Sequence, residues 1–339
     1  MRVTIREQTQ KIQAETLSKY ASLSQNSRGR EVPVADCPIR TPYARDRDRI
    51  IHCKSFRRLM HKTQVFLSPE GDHYRTRLTH TLEVNQIAKT LAVALRLNEE
   101  LTEAIALGHD LGHTPFGHAG ERALAEVCPS GFSHAAQSVR VVEQIENDGR
   151  GLNLCWEVRN GIGCHSLSNP SPEGRAATLE GQVVYFADKI AYLNHDIDDA
   201  IRAGVLSDED IPWTIKYTLG RTKSQRITSL ITSVIEHSGE QIRMGGEIAE
   251  AFAQFNSFMH EAVYLNPKAK GEEGKAEEVV KRLYEHFTAG PDRLPEEFRR
   301  IAGKSGVERA ACDYISGMSD RYAVATFEAL FVPKGWGTV

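Results

Sequence analysis

The sequence predicts an all-α protein, because almost every periodic segment beyond its first 40 residues has the spacing of an amphipathic helix. Strand-like alternation is scarce and predicts only one short hairpin near residues 64–75. The composition, with 40% hydrophobic and 26% charged residues, is typical of a globular chain and excludes a disordered or fibrous one. The i, i+3, i+4, i+7, i+11 spacing is clearest at Val84, Ile87, Ala88, Leu91 and Leu95.

The chain has 339 residues, more than one hydrophobic core usually supports, so we expect a core with an appended helical region. We expect a short helix and an arm at residues 1–40, and a core at 41–205 that contains most groups suited to chemistry. Residues 206–339 are expected to form a C-terminal helical region packed on that core, with few such groups. Further helices are predicted at 99–111, 134–147, 178–203, 223–237, 246–264, 276–287 and 306–331. Loops are predicted at 166–174, 267–274 and 290–292.

Charge and cysteine usage narrow the class of protein. The 42 basic and 45 acidic residues give a net charge of −3, so no global field indicates a nucleic-acid-binding protein. The six cysteines are scattered with no C-x-x-C pair, which excludes a zinc finger. A chain of this size does not need disulfides, so we expect free thiols in a reducing compartment. No apolar stretch of about 18 residues occurs. We therefore expect a cytoplasmic protein that does not enter a membrane.

Histidines and basic residues concentrate in one region of the chain. Eight of the 13 histidines lie within 83 residues, at positions 52, 61, 73, 80, 109, 113, 118 and 134. Residues 40–62 contain eight basic side chains and only two acidic ones. Because phosphates favour arginine and lysine, this combination indicates a metal site that acts on a polyanion. A solvated basic helix face is the alternative on composition alone.

The most informative motif is His109-Asp110 followed by His113. Its two histidines are one helical turn apart, so we expect them to share a face of the helix at 99–111. The spacing is H-x-x-x-H, but Asp110 stands where a zinc protease needs glutamate, which excludes that class. The same dipeptide recurs at His195-Asp196, so the dipeptide alone does not exclude an ordinary core pair.

A turn is predicted directly after this motif. Pro115 and Gly117 favour a change of direction that places His118 on the next helix. Glu121 follows His118 by three residues and is expected to hold its tautomer.

Two further helices contribute candidate ligands. His80 begins the amphipathic helix upstream of the motif. Asp188, Tyr192 and Asp196 form an i, i+4, i+8 stripe on an otherwise apolar helix, which lines a polar cavity or faces solvent. Nucleotide loops are excluded: Gly303-Lys304-Ser305 lacks the first glycine of a phosphate-binding loop, and no G-x-G-x-x-G follows a strand.

Five segments resemble, in order, the deoxyguanosinetriphosphate triphosphohydrolase-like proteins, a family of HD-domain metal-dependent phosphohydrolases. They are Arg45–Ile50, Phe56–Leu59, Lys62–Phe66, Arg75–His80 and His109–His113, within a match from about residue 40 to 200. The resemblance implies an all-α HD fold with additional C-terminal helices. It also implies hydrolysis of dGTP or several dNTPs at the α-phosphorus, giving deoxynucleoside and inorganic triphosphate.

The resemblance further implies roles for individual residues. The metal ligands would be His80, His109, Asp110 and Asp188. Phosphates would contact Arg77, Lys189 and Tyr192, and the sugar would contact Gln64 and Asp196. Proton transfer would come from His113, His118, Glu121 and His134. One divalent ion is expected, Mg²⁺ or Mn²⁺ first, with Fe²⁺, Co²⁺ and Zn²⁺ also open.

The resemblance also implies partners: a homo-oligomer, an activator dNTP at a second site, and single-stranded nucleic acid. Two other functions stay open on the sequence alone. One is an HD-type nucleotide phosphomonoesterase or phosphodiesterase. The other is a nucleotide or single-stranded nucleic-acid binding module with little activity, in which residues 40–62 would follow the backbone.

Overall fold

The computed structural model describes residues 3–64, 75–166, 175–266 and 271–334, and within these ranges it contains helices and no β-strand. The all-α prediction is therefore confirmed. An isolated antiparallel bridge joins Thr63 to Thr76, whereas most of the predicted hairpin, at 65–74, lies outside the described residues. The helices are α1 Ile5–Thr16, α2 Pro42–Ile51, α3 Lys54–Arg58, α4 Arg77–Ala94, α5 Glu99–Gly108, α6 Gly117–Val127, α7 His134–Arg140, α8 Trp156–Gly163, α9 Leu179–Arg202, α10 Trp213–Leu219, α11 Lys223–His237, α12 Gly246–Met259, α13 Glu273–Thr288, α14 Glu296–Ser305, α15 Val307–Ser316 and α16 Asp320–Phe331.

The helix ends follow ordinary capping chemistry. The Oγ1 of Thr76 accepts a hydrogen bond from the backbone of Thr79 at the start of α4, and Thr178 does the same for α9. The predicted helix at 134–147 is shorter than expected, because α7 passes into a π-helical turn at Val141–Ile145. The predicted helix at 306–331 is two helices, α15 and α16, with Ser319 capping the second.

Two hydrophobic clusters form the interior of the described chain. The larger one spans residues 43–263, and at its centre α9 packs along α4 and α5. The smaller one joins α6 to the C-terminal helices α13, α14 and α15. Ile145 packs against both clusters. The predicted boundaries at residues 40 and 205 stay predictions.

The helix predicted at 99–111 ends earlier, at Gly108, so His109 and His113 do not share a helix face. The cause is the close approach of α7. A Cβ on Gly112 would lie 2.2 Å from the backbone nitrogen of Ser138, and the Gly112 N–H donates to Ser138 Oγ at 2.9 Å. The chain turns at this contact, and the two histidines diverge toward different partners.

Most of the basic groups at 40–62 bind other parts of the protein. Arg49 donates to the carbonyls of Leu152 and Asn153, and Arg47 pairs with Asp48 and Glu103. Lys62 is buried and donates to two carbonyl oxygens. Most of the positive charges of residues 40–62 are therefore engaged in hydrogen bonds and ion pairs within the protein.

The described helices include none that is both long and apolar enough to span a bilayer. Within the described ranges there is also no disulfide, as the cysteine spacing predicted.

Candidate active site

Three side chains from three helical segments converge into a cluster suited to a metal ion. His80 lies on α4, His109 directly follows α5, and Asp188 lies on α9. Their ligand atoms are all within 4.8 Å of one another. Asp188 Oδ1 lies 3.0 Å from His80 Nε2 and 3.8 Å from His109 Nε2. The sequence predicted all three as ligands, and the fold brings them together.

The donor atoms of this cluster are held in orientations that suit a cation. His109 Nδ1 donates to the carbonyl of Ala106 at 2.7 Å, which leaves the Nε2 lone pair directed into the cluster. Burial alone would raise the pKa of Asp188, but the hydrogen bond from His80 and the charge of His109 hold it well below its usual range. Two imidazoles and a carboxylate fit a divalent ion.

Asp110, the fourth predicted ligand, lies beside this cluster and is paired with Arg77. The Nη1 atom of Arg77 donates to Asp110 Oδ2 at 2.9 Å, and both side chains are buried. Burial raises the pKa of Asp110, but Arg77 and the neighbouring histidines lower it further, so the carboxyl is ionised. Its role as a ligand, and the contact of Arg77 with phosphate, stay predictions.

A second cluster forms around Glu121 on α6. Glu121 accepts hydrogen bonds from His118 Nδ1 at 3.1 Å and from His134 Nδ1 at 2.8 Å. Burial raises the pKa of Glu121, but these bonds hold it far below its usual value. The ring of His113 stacks on that of His134 at 4.9 Å, with 27° between their planes. The four predicted catalytic residues therefore contact one another.

The turn predicted at Pro115 and Gly117 is present and gives this cluster its geometry. Phe116 precedes α6 with a left-handed backbone, at φ +61°, and Gly117 has φ +59°. The reversal starts a new helix, so His118 and Glu121 approach from a different direction than His109.

Two residues of the site were missed by the sequence analysis. His165 follows α8, and its Nε2 atom lies 3.2 Å from that of His134. Tyr264 donates its hydroxyl to Asp196 Oδ2 at 2.6 Å and stacks on Tyr192. His165 is not part of a recognisable sequence motif with the other histidines. Tyr264 lies in the C-terminal region, in which the sequence analysis found no motif.

Two cavities adjoin the clusters. One of about 550 Å³ is lined by Gln64, Tyr192 and Asp196 together with His118 and Glu121. The other, of about 570 Å³, is lined by Lys189 with Tyr185, Arg175 and Arg243. The predicted sugar contacts thus share a cavity with the predicted proton-transfer groups, whereas Lys189 lies in the other cavity.

Two regions of the chain match the models of known protein families. Residues 77–193 match the HD domain, and residues 242–329 match the phosphohydrolase-associated domain. The HD match contains His80, His109, Asp110 and Asp188.

Curated relatives match over nearly the whole chain. A deoxyguanosinetriphosphate triphosphohydrolase-like protein from Caldanaerobacter subterraneus subsp. tengcongensis is 55% identical, over 98% of this chain and 97% of its own length. Proteins with the same name from Clostridium perfringens (strain SM101) and Geobacter sulfurreducens are 48% and 41% identical, covering 97% and 94% of this chain and 98% and 95% of their own. The chain therefore belongs to the deoxyguanosinetriphosphate triphosphohydrolase-like family and is an HD-domain hydrolase.

Proposed function

We propose that this protein hydrolyses deoxynucleoside triphosphates, dGTP or several dNTPs, to deoxynucleoside and inorganic triphosphate. The observation that carries this proposal is the shared cavity. Gln64 and Asp196, proposed to bind the sugar, line the same space as His118 and Glu121. The phosphate next to the sugar is the α-phosphate, so reaction there fits the arrangement better than reaction at the terminal phosphate.

The sugar end of the cavity offers a hydrogen-bonding pair. Burial raises the pKa of Asp196 to about 7, and the Tyr264 hydroxyl donates to one of its oxygens. The other oxygen, Oδ1, is buried without a hydrogen-bond partner among the described residues. A buried polar atom of this kind calls for a partner, and the 3′-hydroxyl, the one free hydroxyl of a dNTP sugar, supplies it.

Metal chemistry at the first cluster fits this reaction. His80, His109 and Asp188, with Asp110 as the proposed fourth ligand, would hold a divalent ion, which when bound supplies an acidified water and polarises a phosphoryl oxygen. In the hydrolysis a water oxygen bonds to the α-phosphorus and the bond from phosphorus to the 5′ oxygen breaks.

The departing 5′ oxygen takes up a proton, which the second cluster supplies. His118 is half exposed to the cavity and held by Glu121, so it can reach this oxygen while its ring stays oriented. His113 Nε2 is buried without a hydrogen-bond partner among the described residues. Its Nδ1 atom faces the Thr114 carbonyl and burial lowers the pKa of the ring, so Nε2 presents a lone pair that can accept a hydrogen bond from water or a hydroxyl.

The triphosphate tail is assigned to the basic cavity. Lys189 directly follows Asp188, and its Nζ atom lies 4.5 Å from the centre of the Tyr185 ring. Arg175 and Arg243 line the same cavity. The three cations of this cavity suit an anion with several negative charges.

A third cavity is a candidate site for the activator dNTP. A cavity of about 430 Å³ near the N-terminal arm is lined by four arginines, Arg6, Arg30, Arg40 and Arg45. Arginine forks recognise phosphate. Because Arg6, Arg30 and Arg40 are paired with Asp36, Asp46 and Asp48, a nucleotide at this site would have to compete with these carboxylates. The homo-oligomer, the cytoplasmic location and the binding of single-stranded nucleic acid stay predictions.

Product analysis by ion exchange tests the proposal. The protein is incubated with each dNTP, singly and mixed, with Mg²⁺ or Mn²⁺, and His109→Ala serves as the inactive control. We expect deoxynucleoside and intact triphosphate. Monophosphate with pyrophosphate, or single phosphates released in succession, would instead support the phosphodiesterase or phosphomonoesterase alternative. No product in any mixture would support the binding module.

A further inference from the structure

His165 is held in the same way as His109, one of the three residues of the metal cluster. The Nδ1 atom of each ring lies 2.7 Å from the carbonyl oxygen three residues earlier, that of Ala106 for His109 and that of Ile162 for His165. A carbonyl oxygen only accepts, so Nδ1 carries the hydrogen in both rings. With the hydrogen on Nδ1, the Nε2 atom of the neutral His165 ring presents a lone pair.

His134 is fixed with the same polarity from the opposite side. Its Nδ1 atom donates to the ionised carboxylate of Glu121 at 2.8 Å, so in the neutral ring Nε2 is again the atom with the lone pair. The Nε2 atoms of His134 and His165 lie 3.2 Å apart. With hydrogens on both Nδ1 atoms, the two Nε2 atoms can face each other at this distance only across a cation, which is either a proton or a metal ion.

The separation matches two ligands of one metal ion. Nitrogens bound at about 2.1 Å, with an angle between about 90° and 109° at the metal, lie about 3.0–3.4 Å apart. Ring nitrogens oriented by a carboxylate on one side and a backbone carbonyl on the other are the usual support for histidine ligands. We propose that His134 and His165 form a second divalent-metal site, distinct from the cluster of His80, His109 and Asp188.

The two sites are neighbours. The rings of His80, His109, His165 and His134 form a continuous row, with successive centroids 5.7, 5.0 and 5.2 Å apart. Asp110 follows His109 in the chain, and its carboxylate lies close enough to His80, His109 and His134 to interact electrostatically with all three. Two imidazole ligands favour Mn²⁺, Fe²⁺ or Zn²⁺ over Mg²⁺, and the remaining positions are left to water or a phosphate oxygen.

This site gives His134 a coordinating role and leaves His118 as the proton donor at the cavity. Two ions close together are used in phosphoryl transfer to stabilise the attacking and leaving oxygens. This catalytic role rests on the proposed function. Metal binding by His134 and His165 does not depend on it, so an experiment can contradict either proposal without contradicting the other.

Metal stoichiometry tests the site without reference to activity. The full-length protein is stripped with chelator and titrated with Mn²⁺ alone, and the bound ion is counted per chain by equilibrium dialysis and elemental analysis. We expect two ions in the wild type and one in His165→Leu, with the affinity of the remaining site unchanged. The control His237→Leu removes another histidine held by a backbone carbonyl and should keep two ions.

A second variant distinguishes the loss of a metal ligand from a folding defect. His134→Leu should also bind one ion, and circular dichroism checks that each variant retains its helices. Electron paramagnetic resonance of the wild type should show the line broadening of a coupled Mn²⁺ pair, absent from both variants. A single ion in the saturated wild type, or two ions in both folded variants, would overturn the site and assign a shared proton to the pair.

Discussion

Asp320 accepts a hydrogen bond from the backbone N–H of Phe116 at 2.9 Å, across 204 positions of the chain. It also accepts from the backbone N–H and the hydroxyl of Thr63. Phe116 is the left-handed residue that reverses the chain between His113 and α6. The C-terminal region, which the sequence suggested to be poor in chemistry, thus supports the turn that orients the second cluster.

Asp320→Asn should therefore reduce both turnover and stability. One donor at Phe116 or Thr63 would face an amide NH₂, and a buried unsatisfied donor costs about 1–3 kcal/mol. We expect turnover to fall by about 10-fold or more as His118 loses its orientation, with metal content unchanged. Steady-state kinetics and thermal unfolding measure the two effects. Glu328→Gln, an exposed change on the same helix, is the matched control, and equal turnover in the two variants would contradict this role.

Removing a metal ligand should remove both ion and activity. Asp110→Ala deletes the carboxylate of the proposed fourth ligand and leaves Arg77 without its partner, so we expect no turnover and loss of the ion at the first cluster. Elemental analysis and product assays measure the two. Asp198→Asn, on α9 but outside both clusters, should behave as wild type. Full activity in Asp110→Ala would exclude this aspartate as a ligand.

Lys189→Ala should separate phosphate binding from metal binding. A lost charged hydrogen bond is worth about 1.5–3 kcal/mol, so we expect KM for the triphosphate to rise by about 10- to 100-fold. Metal content should stay at the wild-type value, because Lys189 is not part of the metal cluster. Lys189→Arg keeps the charge and should retain most of the affinity. Loss of the ion in Lys189→Ala would show that the division between the two roles is wrong.

The sequence predicted the parts of the site that depend on local spacing. The apolar period indicated α4 and α9, which place His80 and Asp188. The Pro115–Gly117 turn indicated the reversal before α6, and the three-residue spacing indicated the contact of Glu121 with His118. These features are set within a few residues, so a pattern in the chain is enough to find them.

What the sequence did not predict depends on contacts between distant segments. Helix α5 ends at Gly108 because α7 packs against Gly112, and no signal near Gly112 identifies that neighbour. His165 and Tyr264 enter the site only through packing of helices far apart in the chain. Arg77 carried a phosphate-binding signal, yet in the fold its guanidinium pairs with Asp110.

Lys62 should make stability depend on pH. Burial lowers its pKa from 10.5 to about 7, and its ammonium group donates to the carbonyls of His113 and Ser316. Between pH 7 and 10.5 the unfolded chain binds a proton that the folded chain does not, so this group makes stability rise with pH. Lys62→Met should remove about 2 kcal/mol of the rise between pH 7 and 9, measured by urea unfolding. The exposed control Lys11→Met should keep the wild-type slope, and an unchanged slope in Lys62→Met would contradict the shifted pKa.

We expect Asp196 to accept a hydrogen bond from the 3′-hydroxyl of the substrate. Its Oδ1 atom is buried without a partner among the described residues, and its Oδ2 atom is held by Tyr264. A site built to pair with a hydroxyl rejects the analogue that lacks it, because its own polar group is then left unpaired. Wild type should therefore have a kcat/KM for a dNTP about 100-fold or more above that for the matching 2′,3′-dideoxy analogue. In Asp196→Ala this preference should largely vanish, since the carboxylate that detects the hydroxyl is gone. Tyr264→Phe keeps the carboxylate and should keep most of the preference. A full preference in Asp196→Ala would assign the sugar contact to Gln64 alone.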